Sequence, residues 1–527
     1  MTIKSAALLF MLAATQVSAQ EHAHASGAAE QLGAVHFETS CRPSVAPQFD
    51  RAVALLHSFE FGASIGGFND VLAADSTCAM AYWGIALSRW SNPMSPGNRA
   101  PVVLELGRQA AATATRLGDR ATERERAYIG AVSQLYADVE HLSQRTRIVA
   151  YDHAMAALVA RQPADTEARI FYAIALAASA PPTDKSYANQ RKAGAILEAL
   201  WAVQPNHPGL AHYIIHSYDV PALAPQAARA AQRYAEIAPS AAHALHMPSH
   251  TFTRVGLWKE SVNTNLRSIE VATRDGSIAE ALHASDYAEY AYLQMRQDSA
   301  ASALVLRLHT LAAKFDVNAI TGAAPGSAGV FALAAIPARY ALERRAWAEA
   351  ALLRPNASAF PYTEAMTFFA RALGAAHVGQ RTVARSSIDS LAAIRERLLA
   401  QGETYWSEQV AIEQLAAQAW LELVEGHRAD ALARMREASV REDATEKSAV
   451  SPGLLAPARE LLGDMLMELG RPADALQEYR ESLTREPNRF RTLLGAMNAA
   501  AAAGDRASAS RYSSQLRALT GSAAFVR

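Results

Sequence analysis

The sequence predicts an all-α chain, an α-solenoid of helical hairpins in series. Three observations carry this. Ala, Leu, Arg, Glu and Gln dominate, and β-branched or aromatic strand signals are scarce. Apolar residues recur at spacings of three and four, so Ala52–Phe61, Ala168–Ser179, Ala227–Ile237 and Leu455–Leu469 read as amphipathic helices. Short joints separate such stretches: Gln204-Pro205-Asn206, Ala238-Pro239-Ser240, Gly470-Arg471-Pro472 and Glu486-Pro487-Asn488. Short helices with tight joints form hairpins, and hairpins in series form a solenoid.

Composition narrows the function. The chain has 527 residues, 50% of them apolar, enough for an extended core. Lys+Arg is 50 against 51 Asp+Glu, a net charge of -1. That balance argues against a nucleic-acid binder driven by phosphate neutralisation and against a polybasic membrane-surface protein.

From the N-terminus, Lys4, the apolar run Ala6–Ala14 and the small-x-small Val17-Ser18-Ala19 read as a secretory signal over 1–19. A periplasmic or secreted protein without a membrane span is therefore expected. An N-terminal segment (20–47) follows, with His22 and His24 in a low-complexity stretch. Cys41 and Cys78 are the only cysteines, and in an oxidising compartment they suggest a disulfide closing a loop of about 38 residues, worth ~3–4 kcal/mol. The alternative is two separate buried thiols. A first helical-repeat array is expected over 48–313, a Gly/Ala/Pro loop over 314–329, and a second array over 330–527. Ser91–Pro101 is a second turn-rich interruption.

The repeat itself is clearest in Arg459–Asn488. Leu462-Gly463 and Leu466 fall on a first helix, Ala475, Tyr479 and Ser482 on a second, and Pro487 closes the unit. Small residues let the two helices approach, and the aromatic fills the gap to the next hairpin. The pattern resembles the tetratricopeptide (TPR) repeat. Trp83-Gly84 with Leu87, Ala227–Pro239, Gly256–Asn265, and Leu494-Gly495 with Tyr512 match it less fully.

Seven of the 16 histidines fall within His207–His283. His212 and His216 are four apart, on one helix face, with Asp219 three further on. His243, His246 and His250 repeat spacings of three and four. His246 and His250 lie 34 residues after His212 and His216, the length of a TPR unit, so the pairs should occupy equivalent places on neighbouring hairpins. A joint three residues longer brings His283 level with His246 and Tyr287 level with His250. Pro248 interrupts the proposed stripe and should kink or restart the helix near Ala244.

Imidazoles from helices about 8–10 Å apart can reach one ion or an adjacent pair. His212, His216, His243, His246, His250 and His283 are the candidate ligands, with Asp219 and Asp286 as ligands or orienters. Nitrogen and oxygen donors without thiolate suit Zn, Cu or Fe. Tyr287 or Tyr290 could donate a proton or hydrogen bond if the site is catalytic. The other readings are a packing His duplicated with its repeat, or a groove binding a peptide. Tyr82, Trp83, Trp90, Tyr213, Tyr218, Phe252 and Trp258 read as packing. The chain has no GxSxG elbow, HExxH or phosphate loop.

As a whole the chain resembles secreted bacterial TPR proteins bearing an ALHMPSH-like segment, here Ala244–His250, after an HxxxHxxD segment, here His212–Asp219. In the TPR family first helices line the concave groove where ligands bind. The resemblance implies that His243, His246, His250 and Thr253 face that groove, and that a small molecule or peptide occupies it. The expected function is transition-metal binding, with a metal-dependent hydrolase or oxidoreductase activity possible in principle. The alternatives are a non-enzymatic adaptor for a partner protein, or metal storage and delivery.

Overall fold

A computed structural model describes residues 30–95, 99–181 and 183–521. The expected signal segment, with His22 and His24, lies outside these residues. Gln31–Arg527 form one compact unit. Helices run from Ala46–His57 to Arg506–Thr520, and no strand occurs among the described residues. Most helices pack chiefly on a neighbour in sequence, the signature of hairpins stacked in series. No described helix is long and apolar enough to cross a membrane.

The C-terminal hairpins show why small residues recur. A Cβ on Gly463 would lie 2.7 Å from the Tyr479 ring, and one on Gly495 2.4 Å from it. Tyr479 is thus wedged between its own first helix and the next, and its hydroxyl donates to Asp464 at 2.7 Å. Gly84 plays the same part against Phe68. Trp83 and Trp90 are buried core residues, while Tyr82 is half-buried. Cys41 and Cys78 form a disulfide.

Three expectations change in detail. The helix anticipated over Ala52–Phe61 breaks: one helix ends at His57 and the next starts at Phe61. Between them Phe59 is left-handed (φ 56°), a conformation costing about 1–2 kcal/mol for a residue with a Cβ. The stripe around Pro248 is two short helices, Ala242–His246 and Pro248–Arg254. Proline lacks the N–H that would continue the ladder, so the restart falls at Pro248 rather than near Ala244. The Gly/Ala/Pro segment ends sooner than expected, with helix resuming at Gly326.

The segments that depart from the repeat converge on the His-bearing helices. Thr321 accepts the Gly62 N–H at 3.0 Å, and Ala324 donates its N–H to Glu280 at 2.8 Å. The stretch between helices Arg428–Asp443 and Ala458–Glu468 reaches back across the chain: Arg339 donates to the carbonyls of Gly453 and Leu454, both at 3.2 Å. The joint after helix Thr166–Ala178 meets it, with Lys185 and Tyr187 both on Glu446.

Candidate metal centre

Helix Pro208–Ser217 carries His212 and His216 one turn apart, their ring centroids 4.8 Å from each other. His243 and His246 come from Ala242–His246, His250 from Pro248–Arg254, and His283 from Ile278–Gln294. All six are buried. They sort into two groups, His212 with His216 and His243, and His246 with His250 and His283. Within each, every residue brings one ring nitrogen within 4.8 Å of the others'. The groups adjoin: ring centroids are 5.8 Å apart for His243 and His246, and 6.0 Å for His216 and His250. The anticipated registers appear, His283 lying 4.5 Å from His246 and Tyr287 4.9 Å from His250 between centroids.

The hydrogen bonds behind the rings set their tautomers. His212 Nδ1 faces the His57 carbonyl at 2.6 Å, and His243 Nδ1 faces a Glu280 carboxylate oxygen at 2.9 Å. Both partners accept only, so each Nδ1 carries the proton and each Nε2 presents a lone pair. No hydrogen-bond partner meets the Nε2 of His212, His216 or His243.

In the second group His246 Nδ1 faces Asn265 Oδ1 at 2.7 Å. The Asn265 amide is oriented by donating to the Ser261 carbonyl at 2.7 Å, so its oxygen is an acceptor. His250 Nδ1 faces Asp219 at 2.9 Å. The two Nε2 atoms of His246 and His250 then meet at 3.1 Å, lone pair against lone pair. His283 Nδ1 has no partner.

Electrostatics disfavour the charged form of five of the six rings. Burial, then the neighbouring imidazoles, lowers His212, His216, His246 and His283 well below the usual histidine range. Burial would raise Asp219, but Lys447 and Arg254 outweigh it and hold the carboxylate ionised. Burial would likewise raise Glu280, yet its pairing with His243 and the Ala324 N–H brings it down to about 2. Glu60, raised to about 8 by burial and by Glu280, accepts the His243 backbone N–H at 3.2 Å. Neutral, converging imidazole lone pairs in a buried site are a donor set that could hold metal ions.

The predicted carboxylates and tyrosines take other places. Asp219 stands behind His250, and its second oxygen accepts from Arg254 Nε at 2.8 Å. Asp286 is outside both groups and pairs with Arg339 at 3.3 Å. Burial raises it to about 6 against that arginine. Tyr287 packs its ring on His246, His250 and His283, and its hydroxyl lies 2.9 Å from the Ala449 carbonyl. Tyr290 is not brought to the His groups: its hydroxyl accepts from Arg489 Nη1 at 2.9 Å and its ring packs on Trp258. Thr253 faces Ser261 at 3.2 Å.

Sequence reasoning missed the residues that hold the rings. Glu280 precedes His283 by three on one helix, a local signal, whereas Asn265 and the His57 carbonyl give none. It also missed a third buried cluster, His57, Glu167 and His207. There the Glu167 carboxylate faces His57 Nε2 and His207 Nε2, both at 2.9 Å. Phe59 explains its strained backbone here: its ring covers the first group, 4.4 Å from His212, 5.4 Å from His216 and 5.8 Å from His243 between centroids.

A pocket opens on both groups, touching His216, His243, His250 and His283. The Gly/Ala/Pro segment, the Ser448–Val450 stretch, and Tyr362 and Trp406 form its other walls.

No protein-family model matches the chain, and no curated protein matches it. Among solved structures it is similar to yeast Tom70, at 11% identity and a TM-score of 0.37, over 88% of this chain and 96% of that one. Human IFIT1 with m7Gppp-AAAA matches at 8% identity and a TM-score of 0.37, over 84% of this chain and 90% of that one. The TPR-like solenoid class rests on the chain's own helices and their packing.

Proposed function

We propose that this chain is an exported TPR-type solenoid that holds two transition-metal ions, one in each three-imidazole group. It would act as a metal-dependent oxidoreductase or hydrolase on a small molecule entering the pocket. The contact that carries this reading is the pair of His246 and His250 Nε2 atoms at 3.1 Å. Each ring is protonated on its far nitrogen, so the two lone pairs repel unless a cation lies between or beside them. The three partnerless Nε2 atoms of His212, His216 and His243 support the same conclusion, since a buried unpaired polar atom costs about 1–3 kcal/mol.

Neutral imidazoles without carboxylate or thiolate among the donors suit Cu, Zn or Fe over Mg or Ca. Three protein ligands leave a four-coordinate ion one open position. Bound there, such an ion supplies Lewis acidity and an activated water or, for a redox metal, electron exchange. The chain's own residues do the rest. The His57 carbonyl, Glu280, Asn265 and Asp219 orient the rings. Tyr287 is a positioning residue, walling the second group while Ala449 holds its hydroxyl. The Cys41–Cys78 disulfide supports an oxidising compartment.

The test is metal content of untagged mature protein after reconstitution with Zn, Cu and Fe. Wild type should retain two ions of one metal per chain. His243→Ala or His283→Ala should retain one. His216→Ala/His250→Ala should retain none, with helicity unchanged. A folded wild type that takes up no metal would replace this reading with the non-enzymatic adaptor.

A further inference from the structure

The pocket over the two His groups has a composition that selects its occupant. Among the described residues none of its lining side chains is Asp, Glu, Lys or Arg. A cationic ligand entering it would lose hydration with no countercharge in the walls, and would face the metal ions as well. One wall is small and apolar, made by Ala323, Ala324, Pro325 and Ala328, with Val450 nearby. Another is aromatic: Tyr362 and Trp406 stack with centroids 3.9 Å apart and planes 8° from parallel. Small walls beside aromatic ones favour a flat occupant.

Neutral polar side chains, Asn92, Ser95, Ser327 and Ser448, also line the pocket, but two polar features stand out. At one end stand His216 and His243 from the first group and His250 and His283 from the second. A single ligand oxygen there would address both groups together. Trp406, only 8% exposed, has an indole N–H without a partner. A buried donor of that kind is completed by a ligand acceptor.

We propose that this pocket takes a neutral aromatic hydroxyl compound, of the phenol class, with its hydroxyl at the His groups and its ring along Ala323–Ala328. The proposal rests on the paired-metal reading. A phenol is uncharged near neutrality, planar, and carries an oxygen able to ligate, which matches the three features of the walls. Phosphate has no apolar face to set against Ala323–Ala328, and a saturated alcohol fails on shape.

The experiment titrates metal-loaded protein with 4-methylphenol, cyclohexanol and inorganic phosphate by calorimetry. The phenol should bind at least tenfold more tightly than either comparison. Val450→Trp, in a half-buried wall position, should abolish phenol binding while keeping both ions. Trp406→Phe keeps the ring but removes the N–H, and should weaken phenol variants bearing a second oxygen roughly 5–10-fold. It decides the matter if Val450→Trp lowers helicity. Equal binding of cyclohexanol or phosphate, or phenol binding unaffected by a folded Val450→Trp, would overturn the phenol assignment and leave the metal centre standing. A wild type that takes no metal would bring down both.

Discussion

His57 and His207 close on Glu167, whereas the inner nitrogens of the imidazoles next to them meet no carboxylate. In the first cluster each Nε2 faces a carboxylate oxygen at 2.9 Å, and His57 Nδ1 lies 3.1 Å from the Tyr213 hydroxyl. Burial would raise Glu167, but His57 and His207 hold it well below the usual carboxylate range. Both Nε2 atoms are engaged by the one carboxylate, and His207 Nδ1 alone is left without a partner. In the other two groups the proton sits on the outer nitrogen of four rings, and the inner nitrogens face one another or nothing. The difference teaches that burial and histidine count do not mark a metal site. What marks it is whether several ring nitrogens left bare by their surroundings lie close enough to share an ion.

Three perturbations sharpen or break that contrast. The largest effect is expected from Glu167→Ala, which strands two imidazoles in a dry core. Urea unfolding of metal-free protein should show a loss of about 3–5 kcal/mol, the scale for breaking a buried charged partnership. Metal stoichiometry should stay at two. If Glu167→Ala instead releases an ion and leaves stability intact, the third cluster is a ligand set and the contrast fails.

A smaller effect is expected from Asn265→Ala. It removes the acceptor that fixes His246, and outer partners of this kind are worth about 10–100-fold in metal affinity. A two-step metal titration should show one step weakened by that factor and the other unmoved. Weakening of both steps would mean that the two groups act as one.

The smallest effect, and opposite in sign, belongs to His216→Leu measured without metal. Replacing a buried, unpaired imidazole with an apolar side chain of similar size should leave metal-free stability unchanged or raise it by up to about 1–3 kcal/mol. A large loss would show that His216 is a packing residue with a partner of its own.

Much of this was legible beforehand. The 34-residue register between His212/His216 and His246/His250 pointed to neighbouring hairpins, and the longer joint to His283 followed from the same repeat. The Gly463–Tyr479 contact follows from the repeat pattern as well. The division into threes was not legible, because His243 and His246 share a short helix yet serve different groups. Asp286 and Tyr290 were placed near the metal by helical spacing alone. Their partners, Arg339 and Arg489, lie 53 and 199 residues away in sequence, and no local period announces them.

Periodicity is a property of neighbours along the chain, so the amino-acid string by itself determined the helices, their pairing into hairpins, and the face on which each histidine sits. Protonation is a property of neighbours in space. Which nitrogen of each ring carries the proton, and so which lone pairs converge, was decided only when folding set a carbonyl, a carboxylate or an amide oxygen behind it. The pocket is of the same kind, since its walls come from helices and interrupting segments far apart in sequence that meet only in the folded chain.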